Sequence, residues 1–156
     1  SEVTDTVVSN KIVAQDSKTY NSWSFQGNAY LPLAKFLTLQ GSIWTGENLD
    51  TYYGGIGQGI NKTLEKGIRA QGGWAQLLVD LTSAWSVNVG YGIDDPDNED
   101  LNDGDRSRNQ NIFANTYYAV NSAITLGVEY TYMTTSYKAQ NDSPNNRVQG
   151  MAMYKF

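Results

Sequence analysis

The chain has 156 residues, enough for one domain, and its 16 acidic against 11 basic residues give a formal net charge of −5. That balance excludes the basic face a nucleic-acid binder needs, so no nucleic-acid partner is expected. With no Cys and no His, zinc sites built on those residues, Ser-His-Asp triads, Cys nucleophiles and disulfides are excluded too.

Tyr and Trp, at 11 and 4 against 4 Phe, are in excess, which suits side chains with one apolar and one wet end. No apolar run reaches the length of a membrane helix. The chain opens on SEVT without a leader-like segment, as a mature form, a fragment or a protein that is not secreted.

Residues 1–18 are mixed and polar, with hints of extension at Val3, Val7 and Val8, and read as a loop or weak strand. From residue 22 the pattern sharpens. Trp23, Phe25, Gly27, Ala29 and Leu31 alternate with Ser24, Gln26, Asn28 and Tyr30. After a turn at residues 32–35, Leu37, Leu39, Gly41, Ile43 and Thr45 alternate with Thr38, Gln40, Ser42 and Trp44. Residues 47–67 form a long connection. Its GGIGQG run lacks the following helix and the Lys spacing of a phosphate-cradling loop, so it reads as a Gly-rich loop between strands.

The next strand, residues 68–81, changes apolar parity: Ile68, Ala70 and Trp74 on one side, Ala75, Leu77, Val79 and Leu81 on the other. One extra residue swaps the faces, so a β-bulge is expected at Gly72-Gly73. After a turn at 82–84, Trp85, Val87, Val89, Tyr91 and Ile93 alternate with Ser86, Asn88, Gly90 and Gly92. An acidic stretch, residues 94–105, opens a long connection over residues 94–109. Ile112, Ala114, Thr116, Tyr118 and Val120 then alternate with Asn111, Phe113, Asn115 and Tyr117. After a tight turn at 121–123, Ile124, Leu126, Val128, Tyr130 and Tyr132 oppose Thr125, Gly127, Glu129 and Thr131. A polar loop at 136–146 leads to the last strand, where Val148, Gly150, Ala152, Tyr154 and Phe156 oppose Arg147, Gln149, Met151, Met153 and Lys155.

Connections between these roughly seven strands alternate short and long, as the tight periplasmic turns and long outer loops of outer-membrane barrels do. Each strand has an apolar and a polar face. The expected fold is therefore all-β: an antiparallel up-and-down transmembrane β-barrel of about seven or eight strands in residues 19–156. Trp23, Trp85, Tyr118, Tyr130, Tyr132, Tyr154 and Phe156 would form its interfacial girdles.

A resemblance supports this. Residues 46–50, 54–59, 72–76, 90–97, 109–115, 127–130, 146–149 and 154–156, with the closing Tyr154 and Phe156, together resemble the carboxy-terminal portion of porin-like outer-membrane proteins of Gram-negative bacteria. The resemblance covers most of residues 22–156 and carries no catalytic residues. It implies a passive diffusion channel in the bacterial outer membrane, often a homotrimer, in contact with membrane lipid and lipopolysaccharide. Such porins are far longer. Either residues 1–18 add a strand, or the chain is the carboxy-terminal part of a split, cleaved or larger barrel whose remaining strands are partners. The second is favoured.

The expected pore-lining set is Gln26, Asn28, Tyr30, Gln40, Trp44, Asn88, Asn111, Asn115, Tyr117, Glu129, Arg147, Gln149 and Lys155, with Glu129 and Arg147 placed to pair across strands. Asp94, Asp95, Asp97, Asp100, Asp103 and Asp105 offer enough carboxylates for calcium, without EF-hand spacing; the alternative is a solvated acidic loop. No other cofactor is expected, and no constellation suggests an enzyme. Three functions follow: a channel for small polar solutes, a structural or adhesive barrel without a pore, and a soluble β-sandwich that binds carbohydrate through Trp and Tyr.

Overall fold

A side-chain period of two dictates strands, and strands need neighbours for their backbone groups. The computed structural model describes residues 7–8, 11–12, 18–52 and 54–156. Seven long strands carry the fold: β1 Trp23–Ala34, β2 Leu37–Glu47, β3 Arg69–Asp80, β4 Trp85–Pro96, β5 Arg106–Ala119, β6 Ile124–Tyr137 and β7 Ser143–Tyr154. Each pairs antiparallel with its neighbour in sequence, giving one sheet in the order β1 to β7. β1 and β7 are its two edges. The prolines respect this order: Pro32 and Pro144 sit on edge strands and Pro96 ends β4, so none lies inside a central strand.

Two short antiparallel pairs lie outside the sheet: Val7–Val8 with Lys11–Ile12, and Ile60–Asn61 with Lys66–Gly67. The first of these lies within residues 1–18, the segment read as a loop or weak strand. Residues 1–6, 9–10 and 13–17 lie outside the described residues, and with them the rest of that expectation.

Two of the short turns share one device. At residues 81–84 the Thr82 hydroxyl accepts from the backbone N–H groups of Ala84 and Trp85, at 3.2 and 3.0 Å. At residues 120–123 the Asn121 carbonyl oxygen accepts from those of Ala123 and Ile124, both at 2.9 Å. A side-chain oxygen replaces a backbone acceptor in each, so two strands reverse within a few residues.

Three expectations need correction. β3 has no bulge: its register to β2 runs unbroken from Arg69 to Val79, and to β4 from Ala70 to Asp80. Trp74 and Ala70 are simply apolar residues on the polar face. Ala70 is buried beneath the connection formed by residues 48–68, which removes it from solvent. The irregularities lie instead at Pro32/Ala34 and Ser136/Tyr137. The first turn falls at residues 35–36, because pairing continues through Pro32. The loops expected at 94–109 and 136–146 shrink to residues 97–105 and 138–142. Ladder pairing there continues beyond the apolar pattern, since a polar residue extends a strand as well as an apolar one when a partner is beside it.

The faces are inverted relative to a soluble sheet. On the polar face Asn88, Asn115, Thr131 and Ser42 are all more than nine-tenths buried. On the other face Ile43, Val148 and Phe25 are 73%, 72% and 72% exposed. Along β6, exposure alternates strictly from Ile124 to Tyr132, with the apolar residues outward. The polar side chains crowd one another while the apolar ones face outward.

The outward face is banded. Trp85, Tyr118 and Tyr154 lie toward one end and Trp23, Tyr91 and Tyr132 toward the other, with Val87, Val89, Ala114, Val128, Tyr130 and Gly150 between. Trp85 and Tyr91 are separated by about 20 Å along the strand, comparable with an apolar band of about 25 Å. Several aromatic polar ends are tied to neighbours: Trp85 Nε1 donates to Thr116 Oγ1 at 2.7 Å, and Tyr130 OH to Asn146 Oδ1 at 2.6 Å.

Candidate functional site

The register places the expected pore-lining residues on one face. Gln26, Asn28 and Tyr30 of β1 stand opposite Trp44, Ser42 and Gln40 of β2. Asn111, Asn115 and Tyr117 of β5 stand opposite Gly92, Asn88 and Ser86 of β4. Glu129 of β6 stands between Asn115 and Gln149, and Arg147 one step up opposite Thr131. Lys155 lies past the end of β7, its backbone N–H donating to Ala123 O at 2.8 Å.

These side chains form a connected row. Asn88 Nδ2 donates to Asn115 Oδ1 at 2.7 Å, and Asn115 Nδ2 donates to Glu129 Oε2 at 3.2 Å. Thr131 Oγ1 donates to Glu129 Oε1 at 3.1 Å, and an Arg147 guanidinium nitrogen lies 3.5 Å from that oxygen. The expected cross-strand pair is therefore present, within a polar row that spans β4 to β7. The rest of the face offers amides and hydroxyls with little fixed charge.

The register adds residues that the sequence pattern did not assign. Trp74 joins this face beside Ser42 and Gly92. Three aromatics reach across onto the glycine directly opposite. Trp44 lies over Gly72, its ring atoms 2.5 and 2.8 Å from where a Cβ would stand; Phe113 lies over Gly90, and Tyr117 over Gly127 at 2.6 Å. Any side chain at those glycines would collide with the ring. Alternation alone could not show this; the signal was an aromatic facing a glycine in register.

At the outer end, residues 48–52 and 54–68 fold over the polar face. Leu49 lies against Gly46, Gly54 against Trp44, and Gly55 against Ala70. Asp94 fastens this segment, accepting from Gly55 N–H at 3.2 Å and Ile56 N–H at 2.8 Å. Between them they hold a strained backbone: Gly55, Ile56 and Gly57 have φ of 65°, 55° and 67°. A β-branched residue in that region costs about 1–2 kcal/mol and persists only where its surroundings over-determine it. Gln58 completes the fastening. Its Nε2 donates to Arg106 O at 2.7 Å and its Oε1 accepts from Arg106 N–H at 3.1 Å, so the amide acts as one more rung on β5.

The acidic residues of the outer end are dispersed rather than gathered. Asp94 holds the loop backbone; Asp95 pairs with Arg108 at 3.0 Å; Asp97 pairs with Arg69 at 2.8 Å. Asp100 is fully buried, where it accepts from Arg69 N, Nε and NH2 at 3.0, 2.8 and 3.1 Å and pairs with Lys66. Burial opposes its ionisation, but the Arg69 and Lys66 hydrogen bonds outweigh that and hold its carboxyl well below the usual range. Asp105 accepts from Asn102 N–H at 2.8 Å, and Asp103 is exposed. The six carboxylates expected to bind calcium are thus not brought together. No group of three or more among the described residues is placed to hold a metal.

All buried apolar side chains among the described residues belong to this cap: Leu49, Ile56, Ile68 and Leu101, with Ala70 beneath. Lys138 Nζ ties the cap to the connection after β6, donating to Leu101 O at 2.6 Å and Asn98 O at 2.8 Å.

An antiparallel meander with an apolar outward face, aromatic bands and a crowded polar face defines a class: the all-β, up-and-down sheet of a transmembrane β-barrel. Comparison with solved structures agrees. The outer membrane channel DcaP of Acinetobacter baumannii matches with a TM-score of 0.72 at 17% identity, over 86% of this chain and 41% of that one. The chain thus spans less than half the length of the channel it matches, and the likeness is one of fold. No protein-family model and no curated protein matches the sequence.

Proposed function

We propose that the seven strands form part of the wall of a porin-like channel in a Gram-negative outer membrane, passing small polar solutes by diffusion. The observation that carries this is the inverted burial: polar side chains crowded on one face, large apolar ones exposed on the other. An apolar face of this size on nearly every strand needs lipid against it. The polar face then lines water, and the cap of residues 48–68 and 97–105 narrows the outer mouth. Further strands beyond the open edges β1 and β7 close the wall; the match over 41% of a longer channel supports this. Lipid and lipopolysaccharide are the partners of the outward face, and a homotrimer is the proposed assembly.

The mouth is acidic but much of that charge is compensated by Arg69, Arg108 and Lys66. Selectivity should therefore be a mild cation preference that fades as salt screens it over about 10 Å at 0.1 M. The test is conductance of the detergent-purified protein in a planar bilayer. Steps of current with weak cation preference are expected. No conductance would replace the channel with a structural barrel, and a monodisperse monomer in detergent-free buffer would overturn the membrane reading.

A further inference from the structure

On the outward face the outer aromatic band has a gap. Trp23 stands on β1, Tyr91 on β4 and Tyr132 on β6, but β2 and β3 carry no aromatic side chain on that face. Two grooves open in the gap and join. The lower, about 510 Å³, is lined on this face by Phe25, Gly27, Ile43 and Ile93 and reaches Thr45, Gln71 and Asp95. The upper, about 420 Å³, shares Thr45, Gln71 and Asp95 and adds Arg69, Asp97 and Arg108. The register accounts for the join. Phe25, Thr45, Gln71 and Asp95 form one row across β1 to β4, and Gly27, Ile43, Gly73 and Ile93 form the next. The two glycines lower the floor between Phe25, Ile43 and Ile93. The result is one slot, apolar toward the middle of the strands and polar toward the outer end.

The polar end holds donors that the protein leaves unused. Arg69 is committed to Asp97 and the buried Asp100. Arg108 is not. Among the described residues its guanidinium bonds through Nε alone, to Asp95 at 3.0 Å, and the side chain is 46% exposed. Its terminal nitrogens are left for an oxyanion, and a guanidinium meets a phosphate with parallel N–H donors. The exposed Gln71 amide makes no hydrogen bond among the described residues and stands two strands away, about 10 Å. Asp95, Asp97 and Glu99 each face an arginine, so their charge does not bar an anion. A ligand with an apolar chain and a phosphate at one end meets both halves of the slot. A flat apolar surface does not: it would rest on Phe25 and Ile43, which stand 72% and 73% exposed, and leave the slot empty.

We propose that this slot seats one acyl chain of a phosphorylated glycolipid, with the lipid phosphate on Arg108 and Gln71. This rests on the membrane reading and gives its lipid partner a fixed place on the wall. The polar end lies at the outer end of the strands, so the occupant comes from the outer leaflet, where such glycolipids reside.

The test titrates the detergent-purified full protein with bisphosphorylated lipid A and counts bound molecules by native mass spectrometry, with phosphatidylethanolamine as the second lipid. One tightly held lipid A per chain is expected, and weaker phosphatidylethanolamine. Arg108→Ala should weaken lipid A binding about 10-fold, the lower range for hydrogen bonds to a charged group. Gly27→Leu fills the slot without collision, since a Cβ there meets only Ile43 Cγ1 at 3.8 Å, and should weaken binding similarly. Gly150→Leu is the matched control: it lies outward on β7 with nothing within 4 Å of its Cβ, and should bind as the parent does. An unchanged heat-modifiable band in all three variants checks that the barrel stands. No lipid A binding by the parent, equal binding by all variants, or equal retention of the two lipids overturns the seat and leaves the channel reading intact. A parent protein that is a monodisperse monomer in detergent-free buffer overturns both.

Discussion

The sheet and its outer cap are stabilised by opposite rules. The cap follows those of a soluble protein: Leu49, Ile56, Ile68 and Leu101 are buried together, and the fully buried Asp100 is met by Arg69 and Lys66. The sheet buries Asn88, Asn115 and Thr131 and exposes Ile43, Phe25 and Val148. One chain thus holds two patterns of burial. Where apolar side chains can reach one another they form a small core. Where a strand shows them only every second residue, along a sheet with nothing against it, no core forms, and the proposed channel puts lipid in its place.

The largest expected effect comes from putting charge on the outward face, which the proposed channel sets against lipid. Ala152 and Met151 are neighbours on β7, facing Leu126 and Gly127 of β6. Ala152 shares the apolar face with Leu126, and Met151 the polar face with Gly127. Ala152→Arg should cost up to about 2–4 kcal/mol, less if it lies near the interface, and should reduce the heat-modifiable band on electrophoresis. Met151→Arg should assemble normally. Equal loss in both variants would mean that the faces are assigned the wrong way round.

A smaller effect should appear in the cap alone. Asp100→Ala leaves the Arg69 N–H without its acceptor, at about 1–3 kcal/mol for an orphaned buried group, and removes the partner of two cations. Residues 97–105 should then be cut faster by protease while the barrel band stays unchanged. The pH response follows from the same carboxylate. Its pKa in the fold is depressed below the ordinary 3.8. Its contribution is therefore complete above the ordinary value and is lost as pH falls through the depressed one. Cap protection measured by proteolysis with an acid-active protease should be flat from neutral pH to about pH 4 and decline below it. Loss of protection between pH 7 and 5 would point to another group.

Strand faces were legible in the sequence because the pleat gives side chains a period of two, and Gln26, Asn28, Gln40, Asn111 and Asn115 share the polar face. β3 was misread. Its apolar residues answer to two environments: Leu77 and Val79 to the outward face, Ala70 to the cap lying on it. A reader of one strand sees a change of parity and invokes a bulge; only the contact with residues 48–68 explains it. The fastening of that loop was equally hidden. Asp94 was read as one acid among many, although its carboxylate holds Gly55 and Ile56 from far along the chain. Local pattern records which solvent a residue faces, not which distant amide it binds.

The smallest effect should separate a wet wall from a dry one. Glu129 accepts from Asn115 and Thr131 and faces Arg147 at 3.5 Å; its side chain is 28% exposed and that of Arg147 54%. A pair so open to solvent contributes about 0–1 kcal/mol. Glu129→Gln keeps an acceptor for Asn115 and removes only the charge, so the heat-modifiable band should be unchanged. Arg147 then stands uncompensated on the polar face, and the reversal potential should move toward anions at low salt, with the shift vanishing near 1 M as the screening length falls to about 3 Å. Were Glu129→Gln to prevent assembly as Ala152→Arg does, the polar row would be a sealed core holding the sheet together, since only a desolvated carboxylate is costly to lose from such a network. Normal assembly with a salt-sensitive shift in selectivity would place water against Glu129, and with it the difference between the two faces of every strand.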